Sequence, residues 1–172
     1  NAATISIGRN GGKENPVKRN LASLGLMGKK SYEKHIPSTY KLGTPETRFA
    51  ILQGLLDTDG CMSKRRGTGG AAVIYGTSSP QLRDDVSFIV NSLGGVVRTY
   101  GRVTRFTGAD GNKKKGLPSW ELKLRLPRLL GCPFRLPRKA KLWHAGAPNI
   151  KTYPTRRIVS IEPAGEKECQ CI

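Results

Sequence analysis

Acidic side chains are scarce in this chain: 12 Asp and Glu stand against 30 Lys and Arg in 172 residues. The resulting net charge of +18 and sequence pI near 10.3 exceed what solubility requires, and a field of that sign attracts polyanions. Aromatic residues are few as well, 6% of the sequence. That speaks against a single-strand binder built on base stacking and for a surface that reads a duplex through charge and strand side chains. No apolar run approaches the ~18 residues of a membrane span, and the first residues lack the hydrophobic core of a secretory signal. A soluble, non-secreted protein is expected, cytoplasmic or nucleoid-associated, with no membrane partner. The cysteines, at 61, 132, 169 and 171, form no Cys-x-x-Cys pair and have no histidine at zinc-site spacing. They are expected to be reduced thiols. Cys169 and Cys171 alternate along an expected strand, but two ligands do not complete a tetrahedral site. His35 and His144 are isolated and read as structural.

What is present centres on residues 52–60, Leu-Gln-Gly-Leu-Leu-Asp-Thr-Asp-Gly, where an apolar helix runs into two acids and a glycine. Helix C-termini carry partial negative charge, so Asp57 and Asp59 raise the local energy unless a cation or a polar network offsets them. Ile51, Leu52, Leu55 and Leu56 form an apolar stripe broken by Gly54, whose lack of a side chain lets another backbone approach closely.

The remaining segments fall into order around that helix. Residues 1–14 are polar and glycine-rich and read as a loosely docked arm. Asn15-Pro16 opens a helix that Gly25 can end, and residues 28–37 follow as a basic loop. Thr44-Pro45-Glu46 starts the central helix by the same grammar. Gly60 turns the chain into a hairpin with arms at 61–66 and 71–78, with Met62 facing the core and Ser63 and Arg65 facing out. Ser79-Pro80 begins a third helix, with Asp84 and Asp85 near its positive end and Leu82, Val86, Ile89, Val90 and Leu93 on one face. A second hairpin spans 96–107 and 119–126. Trp120, Leu122, Leu124 and Leu126 alternate there with Glu121, Lys123 and Arg125, and the partner arm adds Arg98, Tyr100 and Arg102. Residues 138–143 predict a short basic helix, and 156–161 with 168–172 one more hairpin. The expected organisation is an arm, short helix and basic loop over 1–43, a main domain over 44–146 and a C-terminal hairpin extension over 147–172. Its class is α+β in the order α-β-β-α-β-β-α, an antiparallel four-stranded saddle backed by helices with a basic outer face. Such a face suits the major groove of duplex DNA.

These residues resemble the LAGLIDADG (dodecapeptide) homing endonucleases, above all the intein-encoded members. The likeness rests on Arg48-Phe49-Ala50-Ile51 leading into residues 52–60. It extends to Glu33-Lys34-His35-Ile36-Pro37, to Ser92-Leu93-Gly94-Gly95 and to Phe134-Arg135-Leu136-Pro137-Arg138-Lys139. The resemblance implies a site-specific nuclease that hydrolyses phosphodiesters of double-stranded DNA across the minor groove. Two motif helices would pack about a two-fold axis, here through Ile51, Leu52, Gly54 and Leu55. The last acid of the motif, Asp59, would bind Mg²⁺ or Mn²⁺ with the Thr58 carbonyl as an extra ligand, while Asp57 is structural. Lys139 matches a basic residue near the scissile phosphate, Lys34 a second lysine, and Ser78 a polar position near the catalytic water. DNA contacts are expected from Ser63, Arg65, Arg66, Tyr75, Arg98, Tyr100, Arg102, Lys123, Arg125 and Arg135.

Two departures from the family pattern shape the expectation. Residues 52–60 are the one motif copy, and one copy supplies one acid, so a double-strand nuclease requires a second; a homodimer with an isologous interface is the economical answer. A half-enzyme pairing with another polypeptide is the rival, and a maturase or regulator that binds without cutting is a further alternative. Residues 156–172 also resemble the start of an intein's C-terminal splicing region. They stop short of the His-Asn ending, and Asn1 is not a Cys or Ser nucleophile, so splicing by this chain alone is not expected.

Overall fold

Three helices begin by one device, a polar side chain followed by proline. Proline supplies a helical φ and lacks an N–H that would otherwise go unpaired, and the preceding side chain accepts from the first free amides. Asn15 caps α1 (Pro16–Ser23), Thr44 caps α3 (Pro45–Asp59) and Ser79 caps α4 (Pro80–Ser92). The computed structural model describes residues 15–63, 72–146, 157–163, 165, 166 and 168. A single turn, α2 (Ser38–Lys41), precedes α3, and α5 (Pro137–Gly146) follows the last strand.

Four strands form one antiparallel sheet: β1 (Gly60–Met62), β2 (Val73–Thr77), β3 (Val96–Thr107) and β4 (Lys113–Arg125), in the order β1-β2-β4-β3. The architecture is the expected α+β arrangement, and α3-β1-β2-α4-β3-β4-α5 reproduces the expected element order. Pairing of Arg98 with Lys123 and Val97 with Leu124 sets the register, so polar and apolar side chains separate onto opposite faces. The apolar face meets α3 and α4 in a core that includes Leu52, Leu56, Val73, Leu82, Val86, Ile89, Val90, Leu122 and Leu124. The α4 stripe read from periodicity is buried throughout, Leu93 included.

The sequence treats Asp84 and Asp85 alike, yet they part ways. Asp84 is exposed and pairs with Arg83, whereas Asp85 is 1% exposed. The Asp85 carboxylate accepts from the Ile36 amide at 2.9 Å, the Lys41 ammonium at 2.7 Å and the Gln81 side chain at 3.0 Å, which pins the basic loop to α4. The Ser79 hydroxyl adds a second pin, accepting from the Leu82 amide and donating to the Lys34 carbonyl.

Not every expected element appears. Residues 157–163 carry no strand, and Ile158, Val159 and Ile161 are each at least three-quarters exposed, so no sheet or helix among the described residues covers the side chains that would drive a hairpin there. The tip of the first hairpin, the arm at 1–14 and residues 169–172 lie outside the described residues.

Candidate active site

The last turn of α3 brings its two acids to different environments. The Asp57 carboxylate accepts from the Arg135 amide at 3.2 and 3.1 Å and from the Leu136 amide at 3.2 Å, just ahead of α5. Both oxygens are thereby engaged with backbone. Two residues on, Asp59 is exposed, and among the described residues its carboxylate enters no hydrogen bond or ion pair. One acid holds two elements together; the other is free to take a ligand.

Lys139 answers the electrostatic problem posed by the acids at this helix end. It is 6% exposed, and its ammonium donates to the carbonyls of Leu56 at 2.9 Å, Asp57 at 2.7 Å and Gly60 at 2.6 Å, with Thr58 O at 3.5 Å. The Asp57 and Thr58 carbonyls belong to the last turn, where a helix leaves carbonyls without intrahelical partners, while the Leu56 carbonyl also accepts from the Gly60 amide; a cation there also opposes the macrodipole. The expectation that Lys139 meets a scissile phosphate is therefore amended. Its donors are directed into the backbone that carries Asp59, so it positions that acid. The Thr58 carbonyl is the most weakly held of the four, and the Thr58 hydroxyl bonds back to the Leu55 carbonyl at 2.9 Å.

Asp59 borders an open depression of about 430 Å³ at one end of the polar sheet face, with Cys61, Gly76, Ser78, Arg102 and Glu121 also on its wall. The structure thus brings Asp59 and Ser78 together. Lys34 does not line the depression; its exposed side chain belongs to the loop whose carbonyl is tied to Ser79, next in sequence to Ser78.

Most of the expected DNA-facing residues occupy that same polar face. Arg98, Tyr100, Arg102 and Arg125 are exposed, and Lys123 is half-buried with its ammonium 4.8 Å from the centre of the Tyr100 ring. Arg135 is exposed, its guanidinium donating to the Gln53 side chain at 3.0 Å. Ser63 closes the first hairpin, donating its amide to the Ala72 carbonyl and accepting from the Ala72 amide. Arg65 and Arg66 lie outside the described residues.

Two expectations are overturned. Tyr75 is 1% exposed, because its partners across the sheet are Gly60 and Leu122 and all three share the core face. Burial pushes its hydroxyl well above the ordinary tyrosine range, and the negative charge of Asp59 adds to the effect. Tyr75 is a core residue beneath the site, out of reach of any duplex. Leu52 is fully buried against this chain's own core with Leu56, one turn along, so it cannot serve an interface. Ile51 and Leu55 are half-buried, while Ala50, Gly54 and Thr58 are exposed, and these five form the outer stripe of α3.

Glu121 and Gln53 join this region without belonging to the expected site residues. Glu121 is the only acid in the four strands, which was a visible signal. Gln53 donates to the Cys132 carbonyl at 2.9 Å and accepts from Arg135, contacts with residues some 80 positions away that no local pattern announces.

Comparison with known proteins bears on the same region. Residues 46–123 match the family described as LAGLIDADG-like domain. A replicative DNA helicase DnaB of Rhodothermus marinus is 43% identical over 84 residues, which cover 48% of this chain and 9% of the helicase. The replicative DNA helicase DnaB of Mycobacterium intracellulare is 38% identical over 74 residues, covering 43% of this chain and 11% of that protein. The chain therefore spans about a tenth of the length of these curated relatives.

Proposed function

We propose that this chain is a site-specific, divalent-metal-dependent endonuclease for double-stranded DNA, a reading supported by the match of residues 46–123 to the LAGLIDADG-like domain family. The observation that carries the reading is the division of labour at the end of α3. Asp57 is engaged by backbone amides, while Asp59 stands unpartnered among the described residues at the edge of a basic sheet face.

A hard cation fits this donor set. Mg²⁺ is commonly held by one or two carboxylates with water and substrate phosphates completing its octahedron. Asp59 would hold the ion, with Mn²⁺ an alternative, and the Thr58 carbonyl is the adjacent oxygen least committed to Lys139. When bound, such an ion supplies positive charge to the phosphate oxygens and lowers the pKa of water. The chain's own residues do the rest. Lys139 and Asp57 fix the end of α3, and with it the backbone that carries Asp59. The Ser78 hydroxyl, on the same depression, would orient water. Arg98, Arg125 and Lys123 supply the charge that holds the duplex against the sheet.

One chain offers one free motif acid, so two-strand cleavage requires a second motif helix. The outer stripe of α3 suits close pairing, since a Cβ built on Gly54 meets nothing within 4 Å. A homodimer through Ile51, Gly54 and Leu55 provides the second acid. The two DnaB relatives favour a second reading, in which this is part of an element inserted in a host protein, as inteins are, and α3 pairs with a motif elsewhere on that longer polypeptide.

Incubation of the purified chain with an uninterrupted host locus, with and without Mg²⁺, tests the proposal. Metal-dependent cleavage that Asp59→Asn abolishes is expected. Cleavage surviving in Asp59→Asn overturns the mechanism, and binding without cleavage identifies a maturase or regulator. Sedimentation on DNA separates homodimer from half-enzyme.

A further inference from the structure

On a surface otherwise arranged for phosphate, one carboxylate is out of place. Glu121 is the only acid in the four strands, and its side chain is 17% exposed, so it is held within the surface. Across β3 it meets Arg102, with guanidinium nitrogen and carboxylate oxygen 2.5 Å apart, while the Arg102 side chain remains 61% exposed. The two are diagonal neighbours on one face, Arg102 opposite Ser119 and Glu121 opposite Tyr100. Both stand on the wall of the depression that Asp59 borders.

For gripping phosphate this arrangement is poor. The carboxylate repels the backbone of DNA and offsets the charge of the one arginine it contacts. For reading a base edge it is apt. A guanidinium anchored through one nitrogen keeps the others as donors in fixed directions, the geometry that O6 and N7 of guanine accept in the major groove. The second oxygen of Glu121 is an acceptor beside that fork, matched to the amino group of the cytosine paired with the guanine. We propose that Arg102, oriented by Glu121, reads a guanine in a G·C pair, and that the pair lies in the part of the site nearest the cut because Arg102 and Asp59 border one depression. The inference rests on the duplex-DNA reading above and deepens it. Arg102 is the specificity-determining residue, and Glu121 is the positioning residue that acts through it.

The test is selection of bound duplexes from a randomised pool by the full chain, compared with Arg102→Ala, Arg102→Lys and Glu121→Gln, with far-ultraviolet circular dichroism confirming that each variant is folded. Binding is the readout, so a chain that binds but fails to cut leaves this inference standing while the nuclease proposal falls. The unmodified chain is expected to prefer guanine at one base pair of the bound site. Arg102→Ala and Arg102→Lys should each lower that preference about tenfold, with other positions unchanged. Glu121→Gln should relax the same position while binding unrelated duplexes more tightly, an effect that a merely structural residue would not produce. A uniform loss of affinity in Arg102→Ala, with a salt slope shallower by about one and an unchanged sequence profile, would identify a phosphate contact and overturn the proposal. So would a Glu121→Gln profile identical to that of the unmodified chain. A chain that binds no duplex removes the premise and the inference together.

Discussion

Gly60 stands where α3 becomes β1 with φ −92° and ψ 157°, a backbone that any residue adopts. What restricts the position is space. A Cβ there would lie 2.6 Å from the Leu56 carbonyl oxygen and 2.7 Å from the Leu56 Cα, and Leu56 is fully buried. Gly60→Ala is therefore expected to cost about 1–3 kcal/mol, the usual penalty for overpacking a close contact, read as a lower urea midpoint at unchanged slope. The displacement would also carry Asp59 with it. Gly54→Ala should by contrast leave the stability of the single chain intact, since its Cβ meets nothing of this chain within 4 Å, while weakening pairing through α3. At this scale Gly60 was legible as a turn but not as a contact, because the chain it touches is one helical turn back. Tyr75 was illegible for a different reason. Val73, Ile74 and Tyr75 are apolar in succession, so the short β2 arm shows no alternation that would say which side faces the helices.

Between elements, α3 and α5 hold each other at both ends of their meeting point. Asp57 of α3 receives the amides ahead of α5, and Lys139 of α5 caps the carbonyls that end α3. This reciprocal tie separates effects on stability from effects on chemistry. Lys139→Met takes a charged donor from the carbonyls at the end of α3, Asp57 among them, and is expected to lower stability by about 1–3 kcal/mol, with cleavage reduced because the backbone that carries Asp59 is no longer held. Asp57→Asn weakens charge-assisted bonds and should lower the melting temperature as well. Asp59→Asn should leave the melt unchanged and abolish cleavage. Differential scanning fluorimetry beside a cleavage assay checks all three; an Asp59→Asn protein as destabilised as Asp57→Asn would show that Asp59 is a structural acid. Helix starts were legible from polar-Pro pairs, and α4 from its spacing. The joints were not. Asp85 finds its partners 44 and 49 residues upstream, and Lys139 caps a helix some 80 residues earlier, distances over which sequence carries no local signal.

At the scale of the whole molecule, the +18 charge is distributed with purpose only in part. The polar sheet face carries Arg98, Arg102, Lys123 and Arg125, but β3 and β4 continue as a two-stranded ribbon past the last β2 pairing, Thr77 with Trp120. After a register shift between Val103 and Arg105, Arg105 pairs with Lys115 and Thr107 with Lys113, so three exposed cations share one side of the ribbon. Lys114 points to the other side and is partly neutralised by Asp110 at 3.0 Å. No carboxylate on the ribbon is placed to orient Arg105, Lys113 or Lys115 as Glu121 orients Arg102, so these three should act as undirected charge on flanking phosphates. Replacing them together with glutamine is expected to flatten the dependence of log K on log salt by up to about three units, each neutralised phosphate releasing close to one counterion. Affinity should fall equally for every duplex sequence, and the base profile should match that of the unmodified chain. Fluorescence-anisotropy titrations at several salt concentrations, on one selected and one unrelated duplex, measure both quantities. A loss confined to the selected duplex would show that the ribbon reads bases, and that direct readout extends beyond the saddle formed by all four strands.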